Sequence, residues 1–260
     1  MKNPWIEAVK NDNVALLQRL PFNDENPQQW EDALLEAASL NKMKSLIWLA
    51  DFAPLSDWVI FQAGTNAARA GHEDALEELL KRVPQEQRQT LINEALLGAS
   101  ENLHIDLMDS LRPYAERDFM EHIAYGAAFE GKQEIVEYYL LHLPPTSGIP
   151  VVITGATSGN QGATLGLLAQ FLNEVYEQNL GTDLAKIYDW KALELLAPYI
   201  DVKPVMQTLN EILNDTSLDL IPEQREAIDI KYQEYERLYT KQHLQEITPA
   251  PSLRQRRPRL

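Results

Sequence analysis

Ala67-Ala68-Arg69-Ala70-Gly71-His72-Glu73-Asp74-Ala75-Leu76-Glu77-Glu78-Leu79-Leu80 is the stretch whose reading decides the fold. Two alanines end an apolar helical segment, and a glycine follows three positions after Ala68. Helices commonly stop on a left-handed residue, a conformation that glycine adopts freely and asparagine better than most. Beyond the glycine, Ala75-Leu76 and Leu79-Leu80 recur at the i, i+4 spacing of a buried helical stripe. The stretch therefore reads as helix, tight turn, helix.

The same pattern extends in both directions. A small residue followed three positions later by Gly or Asn occurs at Ala8-x-x-Asn11, Ala38-x-x-Asn41, Ala68-x-x-Gly71, Ala99-x-x-Asn102, Ala128-x-x-Gly131 and Ala156-x-x-Gly159, with Ala185-x-x-Tyr188 as a weaker seventh. The anchor alanines step by 30, 30, 31, 29, 28 and 29 residues. Paired apolar positions follow each turn, as at Ser45-Leu46, Ile135-Val136, Leu167-Leu168 and Leu196-Ala197. Prolines 21, 27, 54, 84, 113, 144, 145 and 150 are expected at the unit ends, since proline removes a backbone donor and biases the residue before it away from helix. A fixed period of this kind is the signature of a repeat array, whose units pack only on their neighbours.

The 67–80 stretch resembles the ankyrin repeat, with its two alanines, Gly-His turn and paired-leucine second helix. Ala127-Ala128-Phe129-Glu130-Gly131-Lys132-Gln133-Glu134-Ile135-Val136 is similar to it too. The resemblance covers residues 5–200, strongly in two units and loosely in the rest. No unit has the Thr-Pro-Leu-His opening of that family, and the period is shorter than the family's about 33 residues, so its β-hairpin fingers are not expected. The expected fold is all-α, a helix-turn-helix repeat solenoid of ankyrin type with about seven units in 1–200. Other helix-pair arrays, such as tetratricopeptide repeats of about 34 residues, fit the period less well.

Residues 201–247 break the pattern and are expected to cap the array. A helix is expected over 202–214, stopping before Asp215-Thr216-Ser217. Pro222 then opens a long helix with acidic residues Glu223, Glu226 and Asp229 in its early turns and an apolar stripe Ile228, Tyr232, Tyr235, Tyr239. This stripe fits a cap over the last unit, with a partner-binding helix as the alternative. Residues 248–260, holding Arg254, Arg256, Arg257 and Arg259, read as a flexible basic tail: a solubilising end, an anionic-surface contact or an address.

Net charge is −16, with 33 acidic against 15 basic residues in 1–222. Nucleic acid is therefore not an expected partner, because phosphate neutralisation needs a basic surface. A basic or neutral protein fits better. There is no cysteine, which excludes disulfides and thiolate metal sites. Residues 138–173 contain no Asp, Glu, Lys or Arg, yet Pro144, Pro145, Pro150, Asn160 and Gln161 interrupt them, so no membrane span is expected. No secretory signal is expected from the opening residues.

The glycine motif Val151-Val152-Ile153-Thr154-Gly155-Ala156-Thr157-Ser158-Gly159-Asn160-Gln161-Gly162 resembles the opening of short-chain dehydrogenases, and Tyr199-x-x-x-Lys203 has the spacing of their catalytic pair. That resemblance implies an NAD(P)-binding oxidoreductase. The glycine spacing is one residue too long, however, only 44 residues separate the motif from Tyr199, and the repeat already accounts for Ala156 and Gly159. Its uncharged turn is either a loosened repeat or a face of hydroxyl and amide groups. Histidines 72, 104, 122, 142 and 243 show no two-ligand helical spacing, and His72 is expected to hydrogen-bond locally within its turn. Acidic runs such as Asp24-Glu25 and Glu77-Glu78 read as solvated faces. No catalytic set, metal site or cofactor is expected.

The expected function is a protein-interaction module or scaffold. Its divergent units resemble those of ankyrin-type bacterial effectors. A scaffold would be cytoplasmic, and an effector would be delivered to a host cytoplasm. In the ankyrin family the two residues before each turn face the concave groove. Carried over, these are Ser39 and Leu40, Arg69 and Ala70, Ser100 and Glu101, Phe129 and Glu130, and Thr157 and Ser158, with Phe129 as the aromatic anchor and Arg69 as a directional charge. An acidic regulator that binds a basic partner by charge mimicry is the alternative.

Overall fold

The computed structural model describes residues 3–22, 26–218 and 220–247. Asp24-Glu25 and the basic end 248–260 lie outside the described residues. All regular structure among the described residues is helical. No helix among them is long and apolar enough to cross a membrane. The helices form two compact units, residues 1–124 with 134–148, and residues 125–133 with 149–260.

In the first unit the helices come in pairs: α1 Pro4–Lys10 with α2 Val14–Leu17, α3 Gln28–Ser39 with α4 Met43–Phe52, α5 Asp57–Arg69 with α6 Glu73–Leu80, and α7 Gln85–Glu101 with α8 Ile105–Leu111. Helix α9, Arg117–Glu130, begins here, and α10, Gln133–His142, belongs almost wholly to this unit. First helices touch first helices in the order α1, α3, α5, α7, and second helices touch in the order α2, α4, α6. Ala8, Ala37, Ala38, Ala67, Ala68, Ala95 and Ala99 on the first helices have no exposed surface, so backbones approach closely there. Leu46, Leu49, Leu76, Leu79 and Met108 fill the space under the second helices, each large-to-alanine change costing about 2–5 kcal/mol. Among the described residues no hairpin finger links the pairs. Ala53–Ser56 joins α4 to α5, and Ser56 caps α5 by accepting the Val59 N–H.

Seven turns share one hydrogen-bond pattern. The N–H groups of Asn13, Lys42, His72, His104, Lys132, Gln161 and Asp189 return to the carbonyls of Ala8, Ala37, Ala67, Ala99, Ala127, Ala156 and Leu184, at 2.7–3.1 Å. The residue before each of these donors is left-handed: Asp12 (φ 48°), Asn41 (51°), Gly71 (75°), Leu103 (56°), Gly131 (77°), Asn160 (60°) and Tyr188 (58°). Each also donates to a carbonyl three residues back, which completes a Schellman closure. At Asn11, Asn102 and Gly159 the helix runs one residue further than the sequence pattern suggests. The left-handed site there falls on Asp12, Leu103 and Asn160 instead. Asn11 and Asn102 instead turn their amides back to the Glu7 and Gly98 carbonyls.

The second unit contains the last residues of α9, then α11 Pro145–Ser158 from Ile149 onward, α12 Gly162–Tyr176, α13 Leu180–Lys186 and α14 Trp190–Leu196. Helices α15 Lys203–Asn214 and α16 Pro222–Ile247 follow. Helix α13 touches α15, α12 touches α14, and α16 packs on α15. The expected stripe of α16 is placed accordingly: Ile228 and Tyr235 are buried, and the Tyr235 hydroxyl donates to the Leu193 carbonyl at 2.8 Å. Lys231 pairs with Glu194, so α16 covers α14 as well.

One expectation is corrected in this unit. Pro150 does not mark a unit end but lies inside α11. It sits six residues into the helix, where the missing donor costs a single intrahelical bond. Val151–Ile153 are helical, as the all-α expectation requires, so no strand leads into the glycines. The glycines serve helix packing instead: a Cβ on Gly155 would stand 2.5 Å from the Tyr125 carbonyl oxygen, and one on Gly159 1.9 Å from that of Phe129.

Gly159→Ala is therefore expected to lose about 2–3 kcal/mol of unfolding free energy in urea titration. Gly126→Ala, where an added Cβ meets nothing within 4 Å, is expected to gain about 0.5–1 kcal/mol in the same titration.

Candidate partner-binding surface

The Schellman register fixes which side chains precede each turn. The residue two places before each left-handed position is Lys10, Ser39, Arg69, Glu101, Phe129, Ser158 or Lys186, and all but half-buried Ser39 are exposed. The sequence-derived pairs Ser39/Leu40, Arg69/Ala70 and Phe129/Glu130 fall on this position and the one after it. Leu40, Arg69, Phe129 and Glu130 are exposed, and Ser39 and Ala70 half-buried.

Two pairs are displaced by one residue, because Asn102 and Gly159 cap their helices rather than turn them. Ser100 is fully buried; its hydroxyl donates to the Leu96 carbonyl at 2.7 Å and meets the Tyr139 hydroxyl at 2.9 Å. Ser100 thus faces the core, and Glu101 holds the outward place. Thr157 is half-buried with its Oγ1 enclosed and without a hydrogen-bond partner, while Ser158 is outward.

Cross-links between consecutive turns hold these positions. The His72 Nε2–H donates to the Ser39 carbonyl at 3.1 Å, and His104 Nε2–H to that of Arg69 at 2.9 Å. In the second unit the Gln161 side-chain amide donates to the Phe129 carbonyl at 3.2 Å. Ser45 closes the first interval, giving both its N–H and hydroxyl to Asp12 at 2.8 Å. His72 is therefore a link to the preceding pair rather than a local turn residue. These links explain the two left-handed glycines further: a Cβ on Gly71 would meet the His104 ring at 2.8 Å, and one on Gly131 the Gln161 amide at 2.6 Å.

Within this frame Arg69 lies with its stem over Gly98 and its Nε 3.7 Å from Glu101 Oε2. Both side chains are about half exposed, so the pair contributes little to stability and leaves the guanidinium available. Phe129 is 46% exposed, its ring stacked at 6.3 Å on Tyr125.

Two surface features escaped the sequence reading. Phe22, Trp48 and Phe52 form a partly exposed aromatic run over buried Trp5 and Trp30, with ring centroids 5.0–6.4 Å apart. In the second unit a cleft of about 620 Å³ opens between α12, α13 and residues 199–204. The aromatics come from several helices, and the cleft from residues up to about 70 positions apart, so neither has a local pattern. Among the described residues no group of three His, Asp or Glu side chains is placed to hold a metal ion.

Burial raises the pKa of three tyrosines. Tyr138 is pushed up to about 12, by burial and then by the Asp109 carboxylate it donates to at 2.8 Å. Burial likewise raises Tyr139 and Tyr235.

No family model matches the chain, and neither a curated protein nor a solved structure does.

A tyrosine held neutral in the fold ionises first in the unfolded chain, so the stability it contributes is present below the ordinary value of 10 and lost as pH rises. Unfolding free energy is expected to fall between pH 10 and 12, and Tyr235→Phe to fall less steeply. Urea titrations at pH 8, 10 and 11.5 check this.

Proposed function

We propose that this chain is a helix-pair repeat protein of ankyrin type that binds a protein partner through the side chains preceding its turns. One observation carries the reading. Seven turns share one Schellman geometry and repeat at about the same interval, and nearly every one presents an outward side chain just before it. A repeated scaffold with varied outward residues is how repeat proteins build binding surfaces. In the first unit these residues are Lys10, Ser39, Arg69 and Glu101; in the second they are Phe129, Ser158 and Lys186.

The carried-over sites Ser39, Leu40, Arg69, Ala70, Glu101, Phe129, Glu130 and Ser158 remain in the proposal. Lys10 and Lys186 join it, while Ser100 and Thr157 drop out because they point inward. Phe129 offers a large, low-entropy contact, and Arg69 a directional charge on a supported stem. The reading is of a binding protein rather than an enzyme, working in the cytoplasm of its own cell or, as an effector, of a host.

The net charge of −16 favours a second element, attraction of a basic partner. Charge mimicry alone would make capture collapse with salt, whereas contacts at Phe129 would persist.

Affinity capture with mass spectrometry identifies the partner, and titration of it measures the site. Arg69→Glu and Phe129→Ala are each expected to weaken binding at least fivefold, about 1 kcal/mol or more. Glu77→Gln, on a second helix, is expected to leave it unchanged. Equal affinity for all four proteins would overturn the assignment.

A further inference from the structure

Helix α12 differs from an ordinary surface helix. From Gly162 to Asn173 it has no charged residue, and its exposed positions include Ala163, Gln170 and Asn173. Charged side chains normally dominate such positions. This face forms one wall of the 620 Å³ cleft, a volume within the about 300–1,000 Å³ of small-ligand sites.

The rest of the lining matches. Gln133, Gln178 and Asn179 add three further amides, and Asp201 is the sole charged residue. Each amide offers a donor and an acceptor without net charge. Asn179 is held in place by accepting the Thr182 N–H at 3.1 Å, and Asp201 by accepting the Lys203 N–H at 3.0 Å.

Tyr199 lines the same cleft as the amides and the carboxylate. It is 53% exposed and lies on a glycine floor: a Cβ at Gly166 would stand 2.8 Å from its Cβ, and one at Gly162 3.1 Å from its Cε2. Any side chain at those two positions would lift the ring. The glycines that imitate a dinucleotide motif in sequence thus include one that seats this ring.

We propose that the cleft binds a short extended stretch of polypeptide carrying an arginine or lysine. The amides pair with the N–H and C=O groups of its backbone, and its cation rests on the Tyr199 ring against Asp201. A neutral oligosaccharide would use the amides and the ring but leave the carboxylate without a charge partner. The acidic protein as a whole also draws in cations. The inference rests on the protein-binding reading and adds a second place and a sequence preference to it.

Isothermal titration of the full chain tests it, with blocked hexapeptides of alanine and serine carrying one central arginine or one central glutamate, and with chitotriose. The arginine peptide is expected to bind saturably, and the glutamate peptide at least tenfold more weakly. Tyr199→Ala and Asp201→Asn are each expected to weaken the arginine peptide about fivefold or more, with circular dichroism unchanged. Asparagine at 201 keeps an acceptor for the Lys203 N–H, so its loss of affinity reports on charge. Equal binding of both peptides, no saturable binding of either, or binding of chitotriose alone would overturn the proposal. A captured partner that is sensitive to Arg69→Glu but not to Tyr199→Ala or Asp201→Asn would also overturn it, while leaving the turn-flanking surface standing.

Discussion

A left-handed residue closing each first helix is the constraint on which the rest of the structure depends. It leaves the helix carbonyls satisfied by two returning N–H groups, and it reverses the chain within two residues. The backbone that bends back must pass close to the helix it has left, and the acceptor of the longer bond is alanine in six of the seven turns. The same reversal puts the next side chain in reach of the preceding turn, so His72, His104 and Gln161 bond to neighbouring carbonyls over 32–35 residues of sequence. Local closure and contact between successive pairs are therefore one arrangement. The left-handed cost to L-residues, about 1–2 kcal/mol, is accepted at Leu103 and Tyr188 because the returning bonds and neighbours over-determine the turn.

That constraint also explains what was legible in the sequence. At Asn41, Gly71 and Gly131 the left-handed residue is itself glycine or asparagine, and the pattern gave the register correctly. At Asn102 it did not: the asparagine caps the helix with its amide, and Leu103, which carries no turn signal, takes the strained place. At Gly159 the glycine is required by the Phe129 carbonyl at its side, not by its own dihedral angle. A glycine has several physical uses, and spacing alone does not separate them. The one-residue slip moved two proposed sites, Ser100 and Thr157, from the surface inward.

The uncharged region 138–173 was legible as unusual, with a face of hydroxyl and amide groups as one reading of its turn, but the cleft beside α12 was not. Its meaning depends on which side chains α12 turns outward and on what α13 and residues 199–204 bring alongside. The α16 stripe was easier, since Ile228 and Tyr235 at helical spacing leave little choice of face, and the Tyr235 hydroxyl finds the Leu193 carbonyl. The proposed function draws on the same distinction: the shared turns would supply rigid positions, and the residues that vary just before them would specify a partner.

The handedness of residue 103 tests this account most directly, because a Gly/Asn pattern alone would place the left-handed site at Asn102. Unfolding free energies of Leu103→Gly and Leu103→Val should be compared with the parent chain. In a left-handed position glycine is relieved and a β-branched side chain is most strained, so the account predicts that the glycine variant is the more stable of the two by about 1 kcal/mol or more. In a right-handed position glycine is the poorer residue by about 0.5 kcal/mol. A valine variant more stable than the glycine variant would contradict the turn geometry and the repeat register built on it.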